Sequence, residues 1–255
     1  MMGEFSGKVI VVTGAASGIG KATVRQFLAE GAFVVGTDIN VEAGSKLSDE
    51  INNPAKFHFL QHDVANEDAW VQVLKDVKSI YGPLDVLVNS AGISFSDPLE
   101  DMTLERWRTQ QAVNMDGTFL GVKHAIHEMK GRGGAIVNIA SIASDVGIFA
   151  AVGYCATKGA VKSFTKAAAL YCAQYNYNIR VNAIQPGYIE TPMVRDVLDV
   201  HSHKDVLEKK IRDLHPLGHF GEPDDIAAGI LFAASDKAKF MTGASIPIDG
   251  GYLAQ

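Results

Sequence analysis

The sequence predicts an α/β fold: a doubly wound, parallel, seven-stranded sheet with helices on both faces. Three observations predict it. Short β-branched runs alternate with longer amphipathic stretches along the whole chain. The apolar runs are continuous rather than alternating, the pattern of strands covered on both faces. A glycine-rich turn directly follows the first of these runs.

The elements follow in order. Residues 8–13 (KVIVVT) form the first strand. Residues 19–30 form a helix, with Ala22, Val24, Phe27 and Leu28 as its apolar stripe. Residues 32–37 are a second strand, 41–51 a helix, 57–62 a third strand and 67–81 a helix. Residues 84–89 (LDVLVN) are a fourth strand, and 103–130 carry one long helix that Thr103 can cap. Residues 135–140 (AIVNIA) are a fifth strand, 153–175 a second long helix and 178–184 (NIRVNAI) a sixth strand. Pro223 opens a helix over 223–234, where its fixed φ suits the first turn, and 244–248 are the seventh strand. The stretch 190–220 breaks the alternation. It is polar, carries His201, His203, His215 and His219, and reads as an irregular substrate lid. No composition break divides the chain, so 1–255 reads as one domain.

Composition narrows the function. Hydrophobic residues make up 47% and charged residues 20%, which excludes a disordered chain. Acidic residues number 29 against 23 basic ones, a net charge of −6, so there is no basic face for nucleic acid. No signal peptide or membrane-spanning run is visible. Cys155 and Cys172 lack disulfide or zinc spacing and point to a reducing cytoplasm. Glycine is in excess, at 25 residues.

The first turn, TGAASGIG, places Gly14, Gly18 and Gly20 between a strand and a helix. Gly14 permits the tight turn, Gly18 lets a pyrophosphate approach the helix N-terminus, and Gly20 allows helix–strand packing. Ser17 and Ile19 belong to the same cradle. Asp38, with Ile39 beside it, ends the second strand, 18 residues beyond Gly20. A carboxylate there suits an adenosine ribose hydroxyl and repels a 2′-phosphate. Ala15, Ala16 and Ile39 supply no cation, so the expected cofactor is NAD(H) rather than NADP(H). The competing reading of Asp38 is a cap for the next helix. Asp63 and Val64 after the third strand suit adenine. Asn89, Ala91 and Gly92 follow the fourth, and Asn89 reads both as a cofactor contact and as a buried amide tying strands together.

Tyr154 and Lys158 lie one helical turn apart. A tyrosine is a weak base near pH 7, and a neighbouring ammonium is expected to lower its pKa for acid–base work at a carbinol or carbonyl. Ser141 sits just past the fifth strand.

With TGAASGIG, NSAG, Asn114, Ser141, YCATK and the Pro186-Gly187 pair before Thr191, in that order and spacing, the chain resembles the short-chain dehydrogenases/reductases. The resemblance runs from about residue 6 to residue 255 and implies a Rossmann-type fold. It implies Tyr154 as acid/base and as a cofactor contact, and Lys158 as the residue that tunes it and holds the nicotinamide ribose. It further implies that Ser141 bonds the substrate oxygen and that Asn114 anchors a proton-relay water. Pro186, Gly187, Ile189 and Thr191 would lie at the nicotinamide end. Ser90 departs from the family's usual second asparagine. The family also implies a homodimer or homotetramer through the two long helices. HDV, AAAL and IRVN look like bacterial hydroxysteroid dehydrogenases. PLGHFGEPDDIA with DGGYLAQ looks like R-specific secondary alcohol dehydrogenases, in which the region of Gln255 would hold magnesium; an unliganded C-terminus is the competing reading.

Phe95, Ile148, Phe149, Val152, Tyr188 and Met193 are the expected substrate walls. They are apolar and lack a basic cluster, which suits an uncharged secondary alcohol or ketone, aliphatic, cyclic or steroid. The other readings are a 3-oxoacyl-carrier or sugar reductase of the same family, and a non-catalytic NAD-binding sensor or scaffold. The pairs His124/His127 and His201/His203 have metal-like spacing but no third ligand, so no metal site is expected.

Overall fold

A computed structural model describes residues 3–199 and 203–255. Seven strands make one sheet: β1 (Val9–Thr13), β2 (Phe33–Asp38), β3 (Phe57–Gln61), β4 (Val86–Asn89), β5 (Gly134–Ile139), β6 (Ile179–Pro186) and β7 (Ser245–Ile248). Their order is β3-β2-β1-β4-β5-β6-β7 and every pairing is parallel. The order reverses between β1 and β4, and in such sheets a ligand crevice opens there, beyond the carboxyl ends of the strands.

Strand periodicity feeds two cores. In β1, Ile10 and Val12 join Val24, Phe27, Ile226 and Ile230 on one face, while Val9 and Val11 join Trp70, Leu74, Met129 and Ala169 on the other. The first face is covered by α1 (Gly18–Ala29), α2 (Val41–Ile51) and α9 (Pro223–Ala234), the second by α3 (Glu67–Ile80), α5 (Gly117–Met129) and α6 (Val152–Gln174). Buried on both sides, the strands need the continuous apolar runs seen in the sequence.

Two segments differ from the sequence expectation. The long helix over 103–130 is broken into α4 (Leu104–Gln111), one π turn (Ala112–Asp116) and α5. Of α4 only Gln110 is buried, so the sequence has no apolar stripe before the break to reveal the one-residue slip that the π turn absorbs. The expected irregular stretch 190–220 holds two helices, α7 (Pro192–Asp199) and α8 (Lys204–Asp213). Their apolar side is short, with Leu198, Ile211 and Phe220 forming a small core apart from the main two. His201 lies outside the described residues.

Candidate active site

A cleft of about 390 Å³ opens at the sheet reversal. Gly14, Ser17, Gly18, Ile19 and Gly20 line it, as do Asp38, Ile39, Asp63, Val64, Ala91 and Gly92. Ser141, Tyr154, Lys158, Pro186, Gly187, Ile189 and Thr191 line it too. Of the residues singled out in the sequence for cofactor or chemistry, Asn89 and Asn114 alone stand behind its wall.

The nucleotide end is built from main chain. Gly14 and Gly18 have φ of 64° and 47°, the left-handed region open to glycine. A Cβ at Gly20 would overlap the carbonyl oxygen of Gly14, so α1 docks on the turn only through glycine. The N-cap Ser17 makes no side-chain cap bond, whereas Asn40 and Asn66 cap α2 and α3. The first-turn amides of α1 are thereby left for an anion. Asp38 does not cap α2. Its Oδ2 accepts the Ala16 N–H at 3.1 Å and its Oδ1 the Asn40 N–H at 3.0 Å, which fixes the carboxylate at the rim. These features fit a dinucleotide.

Thr13 was not assigned a role from sequence, yet its Oγ1 accepts the N–H groups of Ser90 and Ala91, both at 3.0 Å. It locks the end of β1 to the end of β4 beneath the cleft. Asn89 serves as the strand tie: its Nδ2 donates to Asn138 Oδ1 at 2.9 Å, and Asn138 donates to Thr165 on α6.

The chemical end is built from buried polar side chains. Asn114 lies in the π turn. Its Oδ1 accepts the Ile93 N–H at 2.8 Å, and its Nδ2 donates to Ile93 O at 2.9 Å and Thr157 Oγ1 at 3.1 Å. Its side chain is therefore committed to protein partners and fixes the loop after β4. Ser141 caps a 3-10 turn through the Ala143 N–H and hydrogen-bonds to Tyr154. Its carbonyl accepts from Gln185, which also holds Asp145, and Asp145 pairs with Lys162 of α6. No motif announced Gln185 or Asp145.

Lys158 is buried and donates from Nζ to Ile139 O at 2.7 Å, with Nζ 5.5 Å from the centre of the Tyr154 ring. Burial lowers its pKa to about 8. Burial raises that of Tyr154 to about 12, with the Ser141 hydrogen bond pulling the other way. The expected lowering by the ammonium is not what governs the phenol: desolvation is the largest effect, Ser141 rather than Lys158 opposes it, and the phenol is held protonated.

The expected substrate walls separate. Met193 lines the cleft, whereas Tyr188 is not part of its lining, although it lies close enough to raise the Tyr154 pKa. Phe149 is 92% exposed and Phe95 lies under the Arg106 guanidinium, and neither lines the cleft. The segment of α7 and α8 is held by charge. Arg195 forks onto Glu190, and it also reaches Glu208, which Arg212 holds as well. His124 meets Glu67, and among the described residues no three His, Cys, Asp or Glu side chains form a metal cluster. Gln255 donates to Leu214 O. Among the described residues no helix is long and apolar enough to cross a membrane.

A family model described as "Enoyl-(Acyl carrier protein) reductase" matches residues 14–253. The NADP-dependent (R)-specific alcohol dehydrogenase of Lentilactobacillus kefiri is 41% identical over the full length of both chains. The cyclopentanol dehydrogenase of Comamonas testosteroni is 39% identical, covering 99% of this chain and 100% of its own. The 3-beta-hydroxysteroid dehydrogenase of Comamonas testosteroni is 38% identical over 99% and 98%. With the glycine cradle, the cleft at the sheet reversal and the Ser141–Tyr154–Lys158 group, these similarities place the chain in the short-chain dehydrogenase/reductase family.

Proposed function

We propose that the protein is an NAD(H)-dependent oxidoreductase that interconverts uncharged, largely hydrophobic secondary alcohols and ketones. The carrying observation is the convergence of Ser141, Tyr154 and Lys158 on one end of a cleft whose other end is the glycine cradle and Asp38. A bound nicotinamide supplies or receives the hydride. In the reducing direction Tyr154, held protonated by burial, donates its proton to the carbonyl oxygen. Ser141 shares that oxygen by hydrogen bond and keeps the Tyr154 hydroxyl aimed at it. Lys158 presents a cation at the base of the cleft and serves the ribose of the nicotinamide half. The relatives, an alcohol, a cyclopentanol and a hydroxysteroid dehydrogenase, support this substrate class.

Asp38 supports NAD(H). Lys158 is the only Lys or Arg lining the cleft among the described residues, so nothing beside Asp38 neutralises a 2′-phosphate. This reading departs from the Lentilactobacillus kefiri relative, which is NADP-dependent by name. We assign one domain to the chain, with 190–220 as lid and a cytoplasmic setting. Phe119, Leu170 and Tyr171, exposed on α5 and α6, are the face for pairing with a second copy.

The test is absorbance of NADH and NADPH with a panel of aliphatic, cyclic and steroid ketones, sugars and acyl thioesters. Turnover of the uncharged ketones with NADH well above NADPH is expected. Comparable kcat/KM for the two cofactors, or turnover confined to sugars or thioesters, overturns the corresponding part of the reading.

A further inference from the structure

His215 is a buried histidine in the polar stretch before α9, and no step above uses it. Its two ring nitrogens are engaged in opposite senses. Nε2 faces the Tyr188 N–H at 3.1 Å, which can only donate. Nδ1 faces the Ile211 carbonyl at 2.9 Å, which can only accept. The partners therefore fix one tautomer, with the hydrogen on Nδ1 and a lone pair on Nε2.

Those bonds join three separate pieces. Tyr188 belongs to the segment after β6 that runs along the cleft, and Ile211 to the last turn of the lid helix α8. The C-terminal tail closes the third side. The Tyr252 ring lies 5.4 Å from the imidazole, and Leu217 bonds Gly250. Gly187 completes the fit: a Cβ there would stand 2.9 Å from both His215 Nε2 and the Asp249 Cα. The glycine is needed for this close approach as well as for any contact on its cleft side.

We propose that His215 is a positioning residue for the reaction. It sets the Gly187–Tyr188 main chain against the lid and the tail, and so fixes the wall where hydride transfer and carbonyl placement occur. A rigid plane with a donor at one end and an acceptor at the other is what the two facing peptide groups require. An aliphatic side chain of similar volume fills the space and leaves both unpaired. The inference rests on the reading that this end of the cleft holds nicotinamide and ketone.

The experiment compares wild type, His215→Leu and His215→Gln. In His215→Leu, the Tyr188 amide should exchange with solvent about tenfold faster, while the β6 amides keep their protection. Ketone reduction should fall about tenfold or more in kcat/KM, since small misplacements at the reacting centre are costly, with NADH affinity within about twofold of wild type. His215→Gln can again accept from the Tyr188 N–H, and it should recover most of both losses. Unchanged Tyr188 exchange in His215→Leu overturns the proposal. So does a parallel fall of melting temperature, NADH affinity and rate that glutamine does not rescue. If the leucine variant fails to fold, wild-type-like rate in His215→Gln combined with fast Tyr188 exchange overturns it equally. Because amide exchange needs no turnover, failure of the substrate reading leaves a separate signature: no ketone is reduced by wild type, yet the exchange pattern holds.

Discussion

The two ends of the cleft are built from different materials. The nucleotide end uses main chain: two glycines at positive φ, an uncapped helix start and one carboxylate held by two backbone N–H groups. The chemical end uses side chains buried in the fold. Asn114, Ser141, Lys158, Gln185 and His215 are all buried, and each is tied to main chain or to another side chain. The contrast follows from what each end handles. A pyrophosphate spreads its charge over several oxygens and is well matched by a row of peptide N–H groups. A single migrating proton must be held at one atom, which calls for a titratable group in a desolvated setting.

Removing the proton donor tests the chemical end most severely. Tyr154→Phe should lower kcat by about a thousandfold, in the range that positioned acid–base groups contribute. NADH binding, measured by fluorescence, should change little, because no part of the nucleotide cradle depends on the tyrosine hydroxyl. A variant that kept near wild-type turnover would remove the basis for dividing the cleft into a binding end and a chemical end.

The reciprocal test acts on the nucleotide end. Asp38→Ser deletes the carboxylate at the rim of the cleft and should shift the ratio of kcat/KM for NADPH over NADH upward by at least about tenfold, since like-charge juxtaposition is costly. It should also weaken NADH, because Asp38 Oδ2 accepts the Ala16 N–H of the glycine turn. Steady-state kinetics with both cofactors read the two effects separately. An unchanged ratio would mean that the carboxylate serves the turn and not the choice of cofactor.

A buried cation carries a stability cost that the main-chain end avoids. The Lys158 pKa falls from the ordinary 10.5 to about 8 on burial. Below about pH 8 the folded and unfolded chains both hold the proton, and the full cost of the buried ammonium is present. Between the two values the folded chain releases its proton first, so the lysine's penalty fades as pH rises. Lys158→Met should therefore melt a few degrees higher than wild type at neutral pH. That advantage should shrink as the pH approaches the ordinary lysine value, and the variant should turn over very slowly throughout. A lower melting temperature at neutral pH would mean that the bond to Ile139 outweighs desolvation.

The same division decides what was legible in the sequence. TGAASGIG, Asp38 and the strand–helix rhythm are local in the chain, and each lies within a few residues of where it sits in the fold. The lysine and tyrosine were legible because one helical turn separates them. Gln185 with Asp145, His215 with Tyr188, and Thr13 with Ser90 were not, because their partners are 40, 27 and 77 residues away and no periodicity connects them. The π turn at Asn114 was hidden for another reason: of α4 only Gln110 is buried, so no apolar stripe precedes the break against which a one-residue slip in phase would show. The lowering of the Tyr154 pKa inferred from spacing failed because a sequence does not display desolvation.

The segment proposed as a lid lies between these extremes, since it is held by partly exposed charges. Arg195 forks onto Glu190 beside the cleft segment and reaches Glu208 on α8. Solvent screens such pairs, and each contributes little to stability. Arg195→Met should leave the melting temperature and NADH affinity close to wild type, while loosening the approach of α7 to the cleft. The expected effect is a rise of about two- to threefold in KM for the ketone, with kcat nearly constant. Raising the salt concentration should produce a similar rise in wild type and almost none in the variant, because the ions screen a contact the variant no longer makes. An equal salt response in both proteins would show that this segment is held by the small core of Leu198, Ile211 and Phe220 rather than by the charges above it.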